Sequence, residues 1–257
     1  MSAAFRPAPP RIVGARHRGE GHARRDQPCC DALFLPRPGR LQGGFVICDG
    51  AGGTAAVARS AQLSSRAGWR ALLALRRCLG AQPLEHASFR PLALEQRFLT
   101  AFWHARRCGP LADHTLLACL WDRQQLLVVQ VGDSSLLLRR HGQWQLAVPP
   151  AHGRYANETT FLRPGTPPEA VGLWWTSAAA IEAVIGFSDG LEAAFLGGLT
   201  PNAELAELVL AAHRQRLGWR GYPAWLAGSL ADPALAALSD DDRTLVLATP
   251  RPPWPAR

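Results

Sequence analysis

The chain has 257 residues, 47% of them hydrophobic. That is enough to bury the core of one large domain and too much for a disordered polymer. The formal net charge is +8, and arginine carries all of it because no lysine occurs. The arginines stand singly or in pairs, which excludes the basic run of a nucleic-acid tail but leaves an affinity for anionic partners open.

In chain order, Met1–Pro10 is Pro-rich and lacks the apolar core of a secretory signal. Residues 250–257 form a similar tail, so a single domain over 11–249 is expected. No apolar run reaches the ~18 residues of a membrane span, and a cytoplasmic protein with no membrane and no nucleic-acid partner is expected. Ile12–Arg16 predicts a first strand. Arg18–Pro28 reads as a polar loop holding His22, Arg24, Arg25 and Asp26. Asp31–Leu35 and Gly43–Cys48 predict a hairpin around a Pro/Gly-rich turn, with Asp31 and Asp49 at related ends.

Thr54–Leu79 and Leu92–Arg107 predict two helices, with apolar residues at helical spacing (Leu72, Leu75, Leu79; Leu94, Phe98, Phe102). His114–Trp121, Gln125–Val131, Ser135–Arg139 and Gln143–Val148 predict an antiparallel meander. A long loop over 149–168 precedes strands at Val171–Trp175 and Ile181–Phe187, and Trp174-Trp175 reads as core. A short helix is expected after Ser188-Asp189-Gly190. Glu204–Arg216 and part of Pro223–Leu238 read as helical, and Thr244–Ala248 as the closing strand. The order predicts an α+β fold with antiparallel sheet between helical layers. The six cysteines show neither a Cys-x-x-Cys pair nor zinc-type spacing. Cys48 and Cys119 lie in apolar runs and read as core.

Aspartates recur at the ends of apolar runs: Asp49, Asp133 and Asp189, with Asp241 before the last strand and Asp31 at a strand start. Each alone is an ordinary turn residue. Together they predict convergence at one sheet edge, and ionised carboxylates crowd only around a cation. Oxygen donors select Mg²⁺ or Mn²⁺. Two such ions make a shared water nucleophilic and hold a phosphate in line.

The ordered segments Asp49-Gly50-Ala51-Gly52-Gly53, Val131-Gly132-Asp133-Ser134, Phe187-Ser188-Asp189-Gly190 and Asp241-Asp242-Arg243-Thr244 resemble the metal-dependent serine/threonine protein phosphatases of the 2C family. Gly19-Glu20-Gly21-His22, Pro28-Cys29-Cys30-Asp31-Ala32 and Tyr155-Ala156-Asn157-Glu158-Thr159 are similar to a bacterial subgroup. The resemblance runs from about Ile12 to Ala248. It implies a four-layer α-β-β-α sandwich, two antiparallel sheets face to face with helices outside. It also implies hydrolysis of phosphoserine or phosphothreonine in a phosphoprotein by water activated at two Mn²⁺ or Mg²⁺ ions, with a partner serine/threonine kinase pathway. Asp49 would bridge the two ions, the Gly50 carbonyl would ligate one, and Asp189 and Asp241 would hold the other. Asp133 with Asp189 would take a weaker third ion, and Asp31 would orient the attacking water.

The sequence departs from the family pattern at three places. Cys30 stands where many members carry a glutamate ligand, and a thiol suits Mg²⁺ or Mn²⁺ poorly. Asp26 falls near the position of the phosphate-binding arginine, leaving Arg24, Arg25 or His22 as the basic candidates. Ala51 replaces a histidine proposed as general acid, so leaving-group protonation would fall to water. The alternative is a catalytically weak or inactive module that binds a phosphoprotein or a regulatory partner.

Overall fold

A computed structural model describes residues 10–37, 42–79, 92–151 and 159–250. Of the expected tails only Pro10 and Pro250 fall within it, and of the 155–159 segment only Thr159. One sheet has the order β2-β3-β4-β5-β8, formed by Ala32–Phe34 (β2), Gln42–Cys48 (β3), Leu116–Asp122 (β4), Gln125–Val131 (β5) and Gly172–Ser177 (β8). The other has the order β1-β12-β9-β6-β7, formed by Arg11–His17 (β1), Arg243–Thr249 (β12), Ile181–Phe187 (β9), Ser135–Arg140 (β6) and Gln143–Val148 (β7). A small ribbon of Leu196–Gly197 (β10) and Thr200–Pro201 (β11) stands apart, and every pairing is antiparallel.

Side-chain alternation sorts the core into three layers. Phe45, Ile47, Leu117, Cys119, Leu126 and Val128 of the first sheet meet Leu136, Leu138, Val184 and Val246 of the second. Their neighbours Val46, Cys48, Leu116, Ala118, Leu127 and Val129 point the other way and pack on helices Ala55–Cys78 (α2) and Leu92–Ala105 (α3). On the far side, Leu137, Ile185, Phe187, Leu245 and Leu247 pack under Glu192–Phe195 (α4), Ala203–Arg216 (α5) and Tyr222–Ser229 (α6). Both sheets therefore pack on both faces, and the central strands β3, β4, β5 and β9 are buried almost throughout, while the edge strands β1 and β7 are partly exposed. The architecture is the predicted α+β sandwich. Trp174 packs toward the inter-sheet layer and Trp175 toward α2 and α3, as alternate residues of one strand must.

Two expectations need correction. The four strands read as one meander are two hairpins in different sheets: β4 pairs with β5, β6 with β7, while β5 turns to β8 and β6 to β9. The chain crosses between sheets at Gly132-Asp133-Ser134. Gly132 has φ +96, and a Cβ there would sit 2.7 Å from Thr115 Cγ2, so the crossover needs glycine. With β5 and β6 mostly buried on both faces, no apolar/polar alternation betrays which sheet each joins. The predicted loop over 18–28 contains a helix, Glu20–Arg24 (α1). It is a single turn without apolar periodicity, and its support is tertiary. Gly21 N donates to Asp240 O at 2.7 Å, and a Cβ on Gly19 would lie 2.2 Å from the Asp241 carbonyl.

Candidate metal centre

Strand register gathers the carboxylates. In the β2/β3 pair Ala32 faces Cys48, so Asp31 and Asp49 lie one step beyond, side by side. In the β9/β12 pair Phe187 faces Leu245, so Asp189, just after β9, lies beside Asp241 and Asp242, just before β12. Asp133 enters on the crossover between the sheets.

Carboxylate oxygens of Asp49, Asp133 and Asp189 all lie within 4.8 Å of one another. Asp133 Oδ1, Asp189 Oδ1 and Asp31 Oδ1 are buried, and no hydrogen-bond donor among the described residues reaches them. Leaving a buried carboxylate oxygen bare is costly unless a cation takes it. Burial, reinforced by the charges of Asp31, Asp189 and Asp241, pushes Asp49 well above the ordinary carboxylate range. Burial and the neighbouring Asp133, Asp241 and Asp31 push Asp189 up to about 7. The donor set is all oxygen, so the residues present fit hard divalent cations of the Mg²⁺/Mn²⁺ type.

The surroundings hold these groups in place. Thr159 Oγ1 donates to Asp133 Oδ2 at 2.6 Å. Thr115 N donates to Asp49 O at 2.8 Å, and Gly50 forms a bridge with His114. The His114 ring is buried; burial pushes its pKa down to about 4, so it is neutral, and Nδ1 faces Ala112 O at 2.8 Å. Asp31 Oδ2 accepts from Ser188 Oγ at 2.9 Å and Thr244 Oγ1 at 2.6 Å. Burial still outweighs these bonds and brings Asp31 up to about 6.

The remaining sequence candidates are placed differently. Asp241 is exposed, and its Oδ1 accepts from Asp242 N at 2.8 Å; it stands outside the 4.8 Å trio but raises Asp49 and Asp189 by its charge. Arg24 Nη2 pairs with Asp240 Oδ2 at 2.6 Å, and Arg25 Nε donates to Gln27 Oε1 at 3.0 Å. His22 is buried against Asp242, with Nδ1 3.0 Å from Oδ2. Asp26 has φ 53 just past the end of α1. Aspartate tolerates that left-handed stop, which accounts for its presence.

Sequence reasoning passed over Asp242, which is the organising carboxylate on this side. Its Oδ1 accepts from Gly19 N at 2.8 Å, and its Oδ2 from Cys30 N at 2.5 Å and Asp31 N at 3.4 Å. The only signal was its place in the run Asp240-Asp241-Asp242, where nothing local distinguishes three adjacent carboxylates. Arg243 is fully buried, donates to Leu230 O at 2.9 Å and Ser239 O at 2.7 Å, and pairs with Glu20. It ties α1 and α6 to the start of β12.

The chain belongs to the protein phosphatase 2C family: the family described as Protein phosphatase 2C matches residues 18–231. Among solved structures it is similar to the serine/threonine phosphatase Stp1 of Staphylococcus aureus, at 17% identity over 95% of this chain and 96% of that one, with a TM-score of 0.60. It is also similar to PppA of Pseudomonas aeruginosa, described as a key regulatory component of T6SS, at 18% identity over 95% and 99%, with a TM-score of 0.59. A bacterial serine phosphatase aligns at 16% identity over 94% and 98%, with a TM-score of 0.60. At such identities these likenesses establish the shared fold. No curated protein sequence matches the chain.

Proposed function

We propose that this chain is a protein phosphatase that hydrolyses phosphoserine and phosphothreonine, with 11–249 as its single domain and two Mn²⁺ or Mg²⁺ ions, plus a weaker third, as cofactors. One observation carries the reading: Asp49, Asp133 and Asp189 converge within 4.8 Å, and buried oxygens of Asp133 and Asp189 meet no donor among the described residues. Asp49, the Gly50 carbonyl, Asp133, Asp189 and Asp241 would hold the cations. When bound, such ions supply Lewis acidity, which makes water nucleophilic near neutral pH and offsets charge on a transferring phosphoryl group.

The chain's own groups supply orientation. Hydroxyls of Ser188 and Thr244 fix one oxygen of Asp31 and leave Oδ1 to accept a hydrogen bond from the attacking water. Thr159 holds Asp133 in the same way. Arg24 and Arg25 are exposed and lie on the rim supplied by α1, where release from Asp240 and Gln27 would free a guanidinium for phosphate. Ala51 carries no proton donor, so the leaving serine or threonine oxygen takes its proton from water.

The substrate is a phosphoprotein, within a cytoplasmic kinase–phosphatase pathway. No helix among the described residues is long and apolar enough to cross a membrane. The deciding assay is hydrolysis of an aryl phosphate and a phosphothreonine peptide with Mn²⁺, with Mg²⁺ and with chelator. Turnover that needs metal and disappears in Asp49→Ala is the expected result. Folded protein that never turns over but binds phosphopeptide would replace this reading by the regulatory module, which Cys30 and Asp26, in place of the family's glutamate and arginine, favour.

A further inference from the structure

We propose that His22, Cys30 and Asp242 form a second metal site, of mixed nitrogen, sulfur and oxygen donors, that takes a zinc-class cation and is distinct from the carboxylate centre. One donor comes from α1, one from the segment before β2, and one from the residue before β12. Donor atoms of all three lie within 4.8 Å of one another. His22 is 8%, Cys30 0% and Asp242 1% exposed. None of the three belongs to the trio of Asp49, Asp133 and Asp189.

The second observation is at the imidazole. His22 Nδ1 is buried and 3.0 Å from Asp242 Oδ2, yet no hydrogen bond of acceptable geometry forms among the described residues. An ordinary buried His–Asp pair would aim the N–H at the oxygen; here the nitrogen is set beside the carboxylate, as two ligands of one ion are. Cys30 Sγ makes weak thiol hydrogen bonds to Pro28 O at 3.5 Å and Thr54 O at 3.9 Å, which a metal–thiolate bond would replace. Asp242 is held in place by amides of Gly19, on Oδ1 at 2.8 Å, and Cys30, on Oδ2 at 2.5 Å. Hydrogen bonds of this kind orient a metal-binding carboxylate.

Donor chemistry selects the ion. Mg²⁺ and Mn²⁺ prefer oxygen ligands, whereas zinc accepts imidazole, thiolate and carboxylate together, and three protein ligands leave one position for water. Binding is balanced by loss of the Cys30 thiol proton to solvent: the S–H bond breaks as the S–metal bond forms, with no change of oxidation state.

The test uses the full chain, stripped by chelator and titrated with Co²⁺ as a spectroscopic probe, then with Zn²⁺. A thiolate-to-cobalt charge-transfer band that saturates at one equivalent and is displaced by Zn²⁺ is expected. Cys30→Ser and His22→Gln should each lose the band with circular dichroism unchanged. Cys29→Ser and Asp49→Ala should keep it. X-ray absorption of the zinc-loaded wild-type chain should show one sulfur among nitrogen and oxygen neighbours, and this arm does not depend on how any variant folds. A wild-type zinc shell without sulfur, or a band that survives Cys30→Ser, overturns the site. Neither readout involves turnover, so failure here and failure of the phosphatase reading are separate results.

Discussion

The two clusters on this face of the sandwich treat buried carboxylates in opposite ways. Around Asp49, Asp133 and Asp189, oxygens of like charge crowd together, and Oδ1 of Asp133 and Oδ1 of Asp189 meet no donor among the described residues. One strand-end away, the more deeply buried Asp242 has both oxygens hydrogen-bonded by backbone amides of Gly19, Cys30 and Asp31. Crowding in the first is relieved by a cation or by protonation, whereas the second is offset by hydrogen bonds. The second cluster sets an imidazole nitrogen and a thiol beside that carboxylate, so nitrogen and sulfur donors stand at one cluster and oxygen alone at the other, although Cys30 and Asp31 are consecutive. On the proposed reading, metal preference would follow from the donor types each cluster presents.

The strongest way to break that contrast is to remove a carboxylate from the first cluster. Asp49→Ala or Asp189→Ala should abolish phosphopeptide hydrolysis and Mn²⁺ binding while the cobalt–thiolate band remains. Normal hydrolysis by Asp189→Ala would show that the site has been assigned to the wrong residues. Cys30→Glu should act on both clusters in opposite senses, tightening Mn²⁺ binding, read by equilibrium titration, and eliminating the thiolate band. An unchanged Mn²⁺ affinity would mean that position 30 does not face the hard-metal centre.

Removing Asp242 tests the compensated side. Asp242→Ala leaves buried amides of Gly19 and Cys30 without an acceptor, at a cost of about 1–3 kcal/mol for each such group. Thermal melting should show the loss, and Asp242→Asn, which retains one oxygen acceptor, should recover part of it.

The pH dependence separates the clusters further. Asp31 and Asp189 have native pKa values raised to about 6 and about 7, above the ordinary carboxylate range. Between those limits the native metal-free protein binds more protons than the unfolded chain. Its stability is therefore highest on the acid side of this window and declines as pH rises through about 6 and about 7. Melting temperatures of chelated protein should fall across this range, and saturating Mn²⁺ should flatten or reverse the trend. A chelated protein whose Tm holds steady across the window would contradict the crowding of these carboxylates. Asp31→Asn should reduce the slope.

The smallest effect is expected at Thr159. Thr159→Val removes the hydroxyl that donates to Asp133 Oδ2 at 2.6 Å. A bond to a charged group is worth about 1.5 kcal/mol, roughly tenfold in affinity. The loss should appear in the weakest Mn²⁺ isotherm and leave the tighter ones in place; a uniform weakening of all of them would place Thr159 elsewhere in the network.

Much of this molecule was legible residue by residue. Gln125–Val131, Gln143–Val148 and Ile181–Phe187 have the strand bounds expected from the apolar runs. Thr54, where the first long helix was expected to start, is its N-cap and accepts from Val57 N at 3.3 Å. The small residues after Asp49 and the chain order of the acidic motifs pointed to the carboxylate edge, because glycine and aspartate at strand ends carry local information. Helix α1 was missed because one helical turn has no periodicity to read. The sheet change at Gly132 was missed because strands apolar on both faces look alike.

The sequence by itself determined the alternation of apolar runs, the caps and turns, and which residue types stand at the strand ends. Those depend on neighbours within a few positions. Only the tertiary structure decided which carboxylate oxygens are left bare and which donors meet. His17 pairs with Arg243 in the β1/β12 ladder, so the residues after β1 must run beside those before β12. That register brings His22 to Asp242, and it sets the Cys30 amide, 212 residues from Asp242 in sequence, against the Asp242 carboxylate. No local pattern encodes such a meeting, because its cause is the closure of a sheet between the two ends of the chain.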